Sequence, residues 1–122
     1  MADEPRKVLV VDDDEDLRES LTALLTLEGF SVEGVCNGRE ALDYLRTHAP
    51  PCVIVLDLMM PVMSGAEFRA EQLRDDALAS IPVFVLSASH DGRKQAETMR
   101  ASGYFPKPLP LEAFFESLRA SC

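Results

Sequence analysis

The sequence predicts an α/β fold, (βα)5, in which a doubly wound five-stranded parallel sheet carries helices on both faces. Three observations lead there. Short β-branched runs recur at Val8–Val11, Val53–Leu56 and Val83–Leu86. They are apolar almost throughout, as strands buried on both faces of a parallel sheet are. Segments with helical apolar spacing fill the intervals, and this alternation implies right-handed crossovers.

Val8-Leu9-Val10-Val11 reads as the first strand. Leu17, Leu21, Leu24 and Leu25 then fall at i, i+4, i+7 and i+8, one face of a helix. Phe30 to Val35 alternates, with Val35 off phase, which suits a strand near the sheet edge. Asn37-Gly38 supplies a turn and an N-terminal cap for a second helix marked by Ala41, Leu42 and Leu45. After the third strand, Gly65 opens a helix with Phe68 and Leu73 as its apolar positions. After the fourth, Ala96 and Met99 mark a helix with few apolar positions and shallow burial. Tyr104-Phe105 is a weaker fifth strand. Pro106 behind it fits an edge, where a backbone donor can be spared. Leu111, Phe114, Phe115 and Leu118 make the fifth helix, with Pro110 near its first turn. For five strands the common doubly wound order is 2-1-3-4-5, the flavodoxin-like arrangement. The 122 residues amount to one domain over 1–122, without repeat, linker or low-complexity stretch.

A formal charge of −9 argues against binding to a nucleic-acid backbone or to an anionic membrane surface. The MADEPRK start lacks the apolar stretch of a signal peptide, and no apolar run approaches the roughly 20 residues that span a bilayer. A cytoplasmic protein without membrane insertion is the expectation. Cys36, Cys52 and Cys122 are odd in number and form no C-x-x-C pair. They read as reduced thiols rather than a disulfide frame or a zinc site.

The chemistry lies where polar residues stop the apolar runs. Strand one runs into Asp12-Asp13, strand three into Asp57 and strand four into Ser87, while Lys107 follows strand five. In a parallel sheet all strand C-termini share one edge, and ligands of open α/β sheets bind there, where strand order reverses. Three carboxylates so gathered repel, since two unit charges about 4 Å apart cost about 4 kcal/mol at an effective dielectric near 20. A hard divalent cation compensates, and Mg2+ takes one or two carboxylates while keeping waters and phosphate oxygens. Lys107 is a second compensator, a flexible point charge. Carboxylates, Mg2+, a hydroxyl and a lysine together suit phosphoryl transfer, which is mostly positioning and neutralisation. An Asp after a strand is also a common helix cap, the better reading for Asp14 or Asp16. Glu15 and Asp16 equally favour the positive end of the first helix. Caps do not explain three acids, a serine and a lysine meeting at one edge.

At these residues the chain resembles the receiver domains of response regulators, including the chemotaxis regulator. VLVVDDDEDLR, VIVLDLMMPVMSG, FVLSAS and FPKP stand in the family's order and spacing, and the resemblance covers essentially the whole chain. It implies that Asp57 accepts a phosphoryl group from the phosphohistidine of a sensor histidine kinase or histidine phosphotransfer protein. It implies Mg2+, or Mn2+ in its place, held directly by Asp13 and Asp57, through water by Asp12, and by the Met59 carbonyl. Lys107 would pair with a phosphate oxygen, Ser87 would turn its hydroxyl onto the phosphate, and small Ala88 would leave room for it. Lys107-Pro108 matches a bond usually cis in the family. Tyr104 matches the switch aromatic, which rotates into the space Ser87 vacates; the plainer reading is a half-buried strand residue with a wet hydroxyl. The fourth helix, fifth strand and fifth helix would form the face read by a downstream protein target, and a candidate surface for a homodimer. No output domain and no direct nucleic-acid binding are expected.

Met59 stands two residues after Asp57, where many receivers carry a polar residue, and a thioether cannot orient a hydrolytic water. Slow self-dephosphorylation is therefore expected. Leu109 and Pro110 replace the polar cap common before the last helix. His48 and His90 read as surface residues, since neither sits in a helical bundle of the kind that carries phosphohistidine. A flavodoxin-like carrier would share the fold, but the five acids Asp12 to Asp16 would repel a flavin phosphate. A phosphatase with a nucleophilic Asp usually shows D-x-D, and Asp57-Leu58-Met59 lacks the second acid.

Overall fold

Strands and helices alternate along the whole of the computed structural model, which describes residues 6–122. Most of the MADEPRK stretch, which bears the expectation of no signal peptide, lies outside the described residues. The strands are β1 (Lys7–Val11), β2 (Ser31–Val35), β3 (Val53–Asp57), β4 (Val83–Ser87) and β5 (Gly103–Pro106). The helices are α1 (Glu15–Leu27), α2 (Gly38–Thr47), α3 (Gly65–Arg74), α4 (Gly92–Thr98) and α5 (Leu111–Ser121). All strand pairs are parallel and the order is β2-β1-β3-β4-β5, as the sequence predicts. No helix among the described residues is long and apolar enough to cross a membrane.

The near-continuous apolar runs are explained by a core on each face of the sheet. Leu9, Val11, Ile54, Leu56, Val83 and Val85 point to one side, against α2, α3 and α4. Val8, Val10, Val53, Val55, Phe84 and Leu86 point to the other, against Leu21 and Leu25 of α1 and Phe114 and Leu118 of α5. Successive strand residues serve opposite faces, so neither face could be polar. β2 and β5 form the edges, which matches their weaker patterns.

Helix starts are set by local side chains. Asp14 caps α1 by accepting from Leu17 N at 3.2 Å, and Asn37 caps α2 by accepting from Glu40 N at 2.9 Å. Ser64 and Glu67 form a reciprocal capping box at the start of α3. α5 begins at Leu111 with Pro110 in the cap position and no side-chain cap bond.

Leu17 and Leu24 of α1 are half-buried beside the buried Leu21 and Leu25, as a single apolar face requires. Two sequence expectations need correction. Leu73 is 44% exposed. α3 instead buries Gly65, Phe68, Arg69 and Gln72, at i, i+3, i+4 and i+7. Its inward face therefore carries two polar residues. Finally, Cys52 and Cys122 are not free thiols: they form a disulfide with Cα atoms 5.4 Å apart. α5 runs back antiparallel to the strands, so its end returns to the edge where β3 begins. The two cysteines are 70 residues apart in sequence, and no local spacing announces the pair. Cys36 remains free.

Candidate functional site

Asp12 follows β1, Asp57 closes β3, Ser87 closes β4 and Lys107 follows β5. The register pairs Val11 with Leu56, Asp57 with Leu86 and Ser87 with Pro106, so these residues end level at one edge. Asp12 is 2% exposed and held from several directions. Its Oδ1 accepts from Asp14 N at 2.9 Å, its Oδ2 from Lys107 Nζ at 3.2 Å, and its carbonyl from Arg18 Nη1 at 2.8 Å. Asp57 is also buried, and its Oδ1 accepts from Lys107 Nζ at 3.1 Å. One ammonium thus bridges two carboxylates from different strands. The Lys107 backbone N–H donates to the Ser87 carbonyl at 3.1 Å, and the following Lys107-Pro108 bond is cis.

Asp13 is exposed above this pair. One carboxylate oxygen each from Asp12, Asp13 and Asp57 lie within 4.8 Å of one another. This is the single such group of potential ligands among the described residues. Three hard oxygen donors at that separation fit a small divalent cation, which needs such ligands and shares them with water and phosphate.

The electrostatics follow from crowding. Burial raises the Asp57 carboxyl above its ordinary pKa, and Asp12 raises it further; Lys107 opposes both without cancelling them. Burial pulls Lys107 down, but Asp12 and Asp57 outweigh it and the ammonium titrates above its ordinary value. The two directions are compatible because Lys107 has two carboxylates whereas Asp57 has a share of one lysine.

Gly65 lets the loop close behind the site. A Cβ there would stand 2.5 Å from the Asp57 carbonyl and 2.9 Å from Leu58 Cα, so any larger residue would push α3 off β3. Met59, two residues after Asp57, is 75% exposed. Ser87 is buried, and its Oγ accepts from Ser89 N at 3.1 Å within its own loop. Ala88 is exposed. Tyr104 is half-buried in the neighbouring strand, with the Arg93 guanidinium 4.9 Å from its ring centre. His90 is exposed, and His48 stacks on Tyr44 at the end of α2, ring centres 4.0 Å apart. Arg18 was not legible as part of the site, since an arginine in the first turns of an amphipathic helix looks like a solvated surface charge.

A family model described as the response regulator receiver domain matches residues 8–119. The chain belongs to the response-regulator receiver family. The response regulator MprA of Mycolicibacterium vanbaalenii is 41% identical to this receiver over 118 residues, which is 95% of the chain and 50% of that regulator. MprA of Mycobacterium avium is 39% identical over 116 residues, 93% of the chain and 50% of the regulator. This receiver therefore spans about half the length of the regulators it matches. Among solved structures, the chemotaxis protein CheY4 of Vibrio cholerae superposes with a TM-score of 0.86 at 29% identity, covering 98% of this chain and 100% of that one. The response regulator TrrA of Thermotoga maritima, solved in complex with Mg2+-BeF, gives 0.85 at 26% identity over 96% and 99%. The chain is thus a receiver of two-component signalling, a family whose members work with sensor kinases and downstream effectors.

Proposed function

We propose that this receiver takes a phosphoryl group onto Asp57 and is switched by it. The observation that carries the reading is the lysine bridge: Lys107 Nζ lies 3.2 Å from Asp12 and 3.1 Å from Asp57, with Asp13 beside them. A buried carboxylate flanked by acids and one mobile ammonium is a nucleophile whose surroundings accommodate added negative charge only with help from cations.

Asp57 attacks the phosphorus of a phosphohistidine on a sensor kinase or histidine phosphotransfer protein. The N–P bond breaks, an O–P bond to Asp57 forms, and the departing imidazole nitrogen keeps the electron pair and takes up a proton. Lys107 exchanges its bond to the Asp57 carboxylate for one to a phosphoryl oxygen, a charge-assisted pairing. Ser87 leaves Ser89 N and turns its hydroxyl to another phosphoryl oxygen, and Ala88 leaves room beside it. Asp12, Asp13 and Asp57, with the Met59 carbonyl, are the groups that would hold Mg2+ or Mn2+. Such an ion neutralises charge on the phosphoryl oxygens when bound. The neighbour TrrA, of the same fold, was solved with Mg2+-BeF.

The readout uses the next layer. Movement of Ser87 vacates space beside Tyr104, whose ring turns inward, and α4, β5 and α5 present the altered face to a downstream protein or to a second copy. This is a population shift between two arrangements, biased by a local charge event.

Incubation with acetyl phosphate and Mg2+ followed by intact mass measurement tests the reading. One phosphoryl adduct is expected, absent in Asp57→Asn and absent with a chelator. An adduct of equal yield in Asp57→Asn would remove the assignment.

A further inference from the structure

α4 is held very differently at its two ends. Its C-terminal end is closed by a Schellman motif: Ala101 N donates to Ala96 O at 3.0 Å, Arg100 N to Glu97 O at 3.0 Å, and Arg100 adopts φ 57. The carbonyls of Met99 and Arg100 that this turn leaves over are taken by one side chain from another helix. Arg69 donates from Nε to Met99 O at 3.0 Å and from Nη2 to Arg100 O at 2.9 Å. Its Nη1 donates to Gln72 Oε1 at 2.7 Å. Gln72 in turn donates to the carbonyls of Leu78 at 2.9 Å and Ile81 at 3.1 Å, which pins the segment leading into β4.

Arg69 is 7% exposed and Gln72 fully buried, and Arg69 has no carboxylate partner among the described residues. A buried guanidinium is costly unless its donors are used, and here the carbonyls and the amide use them. Replacing the arginine would strand two carbonyls. The arrangement is a rigid three-way knot of α3, the α3–β4 connection and the end of α4.

The N-terminal end of α4 has no such anchor. Asp91 makes no side-chain cap bond to the helix and instead accepts from the Ser89 hydroxyl. Contact with the sheet is made by Gly92 and by the Arg93 guanidinium, 4.9 Å from the ring centre of Tyr104. A Cβ on Gly92 would stand 2.7 Å from Ser87 Cβ, 2.8 Å from Ser87 Oγ and 3.0 Å from Tyr104 Cε1. The helix start therefore rests directly on the two residues that the proposed switch moves. Ala96 is the other buried residue of this short helix.

We infer that Arg69 is the positioning residue that fixes the C-terminal end of α4, so that the helix pivots there and the switch is expressed at its N-terminal end. The inference rests on the phosphoacceptor reading for its trigger but not for its geometry. Arg69 touches neither Asp57 nor the acids in any hydrogen bond or ion pair of the described residues; its bonds run to the end of α4 and to Gln72 of its own helix. A signal arising at Ser87 would thus lift or lower the exposed face near Arg93 while leaving the 98–101 turn in place.

Peptide-resolved amide hydrogen exchange tests this with and without phosphorylation. Gly92→Ala supplies a trigger that needs no phosphoryl group, because its methyl forces the helix start off Ser87. It is expected to speed exchange in 88–95 by about tenfold or more, while 98–103 stays within about twofold of the parent. Arg69→Met is expected to do the reverse within α4, since the bonds it removes go to the C-terminal turn and to Gln72 and none goes to the helix start. It should still form the acetyl-phosphate adduct at the parent yield. The parent protein after phosphorylation should change in 88–95 and not in 98–103. Equal loosening of both ends by Gly92→Ala, or a phosphorylation response centred on 98–103, would overturn the pivot. A Gly92→Ala result as expected in a chain that forms no adduct would leave the pivot standing and remove the phosphoacceptor reading instead.

Discussion

Neutralising Asp57 should stabilise the protein when divalent cations are removed. Oxygens of Asp12, Asp13 and Asp57 lie within 4.8 Å of one another, so at an effective dielectric near 20 each fully charged pair repels by no less than about 3.5 kcal/mol. Lys107 at 3.1 Å attracts Asp57 by about 5.4 kcal/mol on the same scale. At full charge the two repulsions slightly exceed the one attraction, but Asp13 is exposed and screened, so burial decides the sign. Discounting exposed Asp13 for screening and adding the desolvation of a side chain only 8% exposed leaves a net penalty of about 1–2 kcal/mol on the charged form. The raised pKa of Asp57, caused first by burial and then by Asp12, has the same sign. Asp57→Asn keeps the shape and an acceptor for Lys107 while deleting the charge. In chelator at neutral pH its Tm should rise by about 4–8 °C over the parent, at about 4 °C per kcal/mol for a domain of this size. Because the folded pKa lies above the unfolded one, the native state binds more protons in the interval between them. The parent's stability therefore grows as pH falls through the folded value, and the gap between the two proteins should close towards the ordinary carboxylate pKa. Calorimetry across that pH range decides the matter. A variant no more stable than the parent at neutral pH, or a gap that persists undiminished in acid, would refute the reasoning.

Adding Mg2+ to the parent should reverse the penalty by mass action, about 2.7 kcal/mol at a hundredfold excess over Kd, and Asp13→Ala should lose most of that rise in a thermal titration. An unchanged response in Asp13→Ala would count against it as a ligand. Met59→Asn should hasten decay of the acyl phosphate, followed by mass or by phosphate release, because a polar side chain can orient water where the exposed thioether does not; an unaltered decay rate would remove that argument. Reducing the Cys52–Cys122 bond, or replacing Cys122 by Ser, should cost about 4 kcal/mol on the chain-entropy model for a loop of 70 residues, seen as a lower denaturation midpoint. A midpoint that ignores reductant would show that the two sulfurs do not pair in solution.

Much of the candidate site's geometry was legible because a parallel sheet performs the convergence by itself. Once β1, β3, β4 and β5 are recognised as apolar runs, Asp12, Asp57, Ser87 and Lys107 must share the edge at their C-terminal ends, whatever the loops do. The same logic, a run that is apolar on every residue, announced the two-faced core. Local chemistry also reads directly, as Asp14 and Asn37 show, since a cap involves residues only three apart.

What the sequence could not decide depends on partners brought from afar. Nothing near Arg69 or Gln72 says that their polar groups will find the carbonyls of Met99, Arg100, Leu78 and Ile81, so the apolar pattern pairs Leu73 with Phe68 where the helix instead turns Arg69 and Gln72 inward. Nothing near Cys52 points to Cys122. Arg18 reached the Asp12 carbonyl only because α1 packs across the end of β1. Periodicity reports which side of an element faces inward on average. Whether a polar residue belongs inside is set by hydrogen-bond partners, and those exist only after the helices have packed.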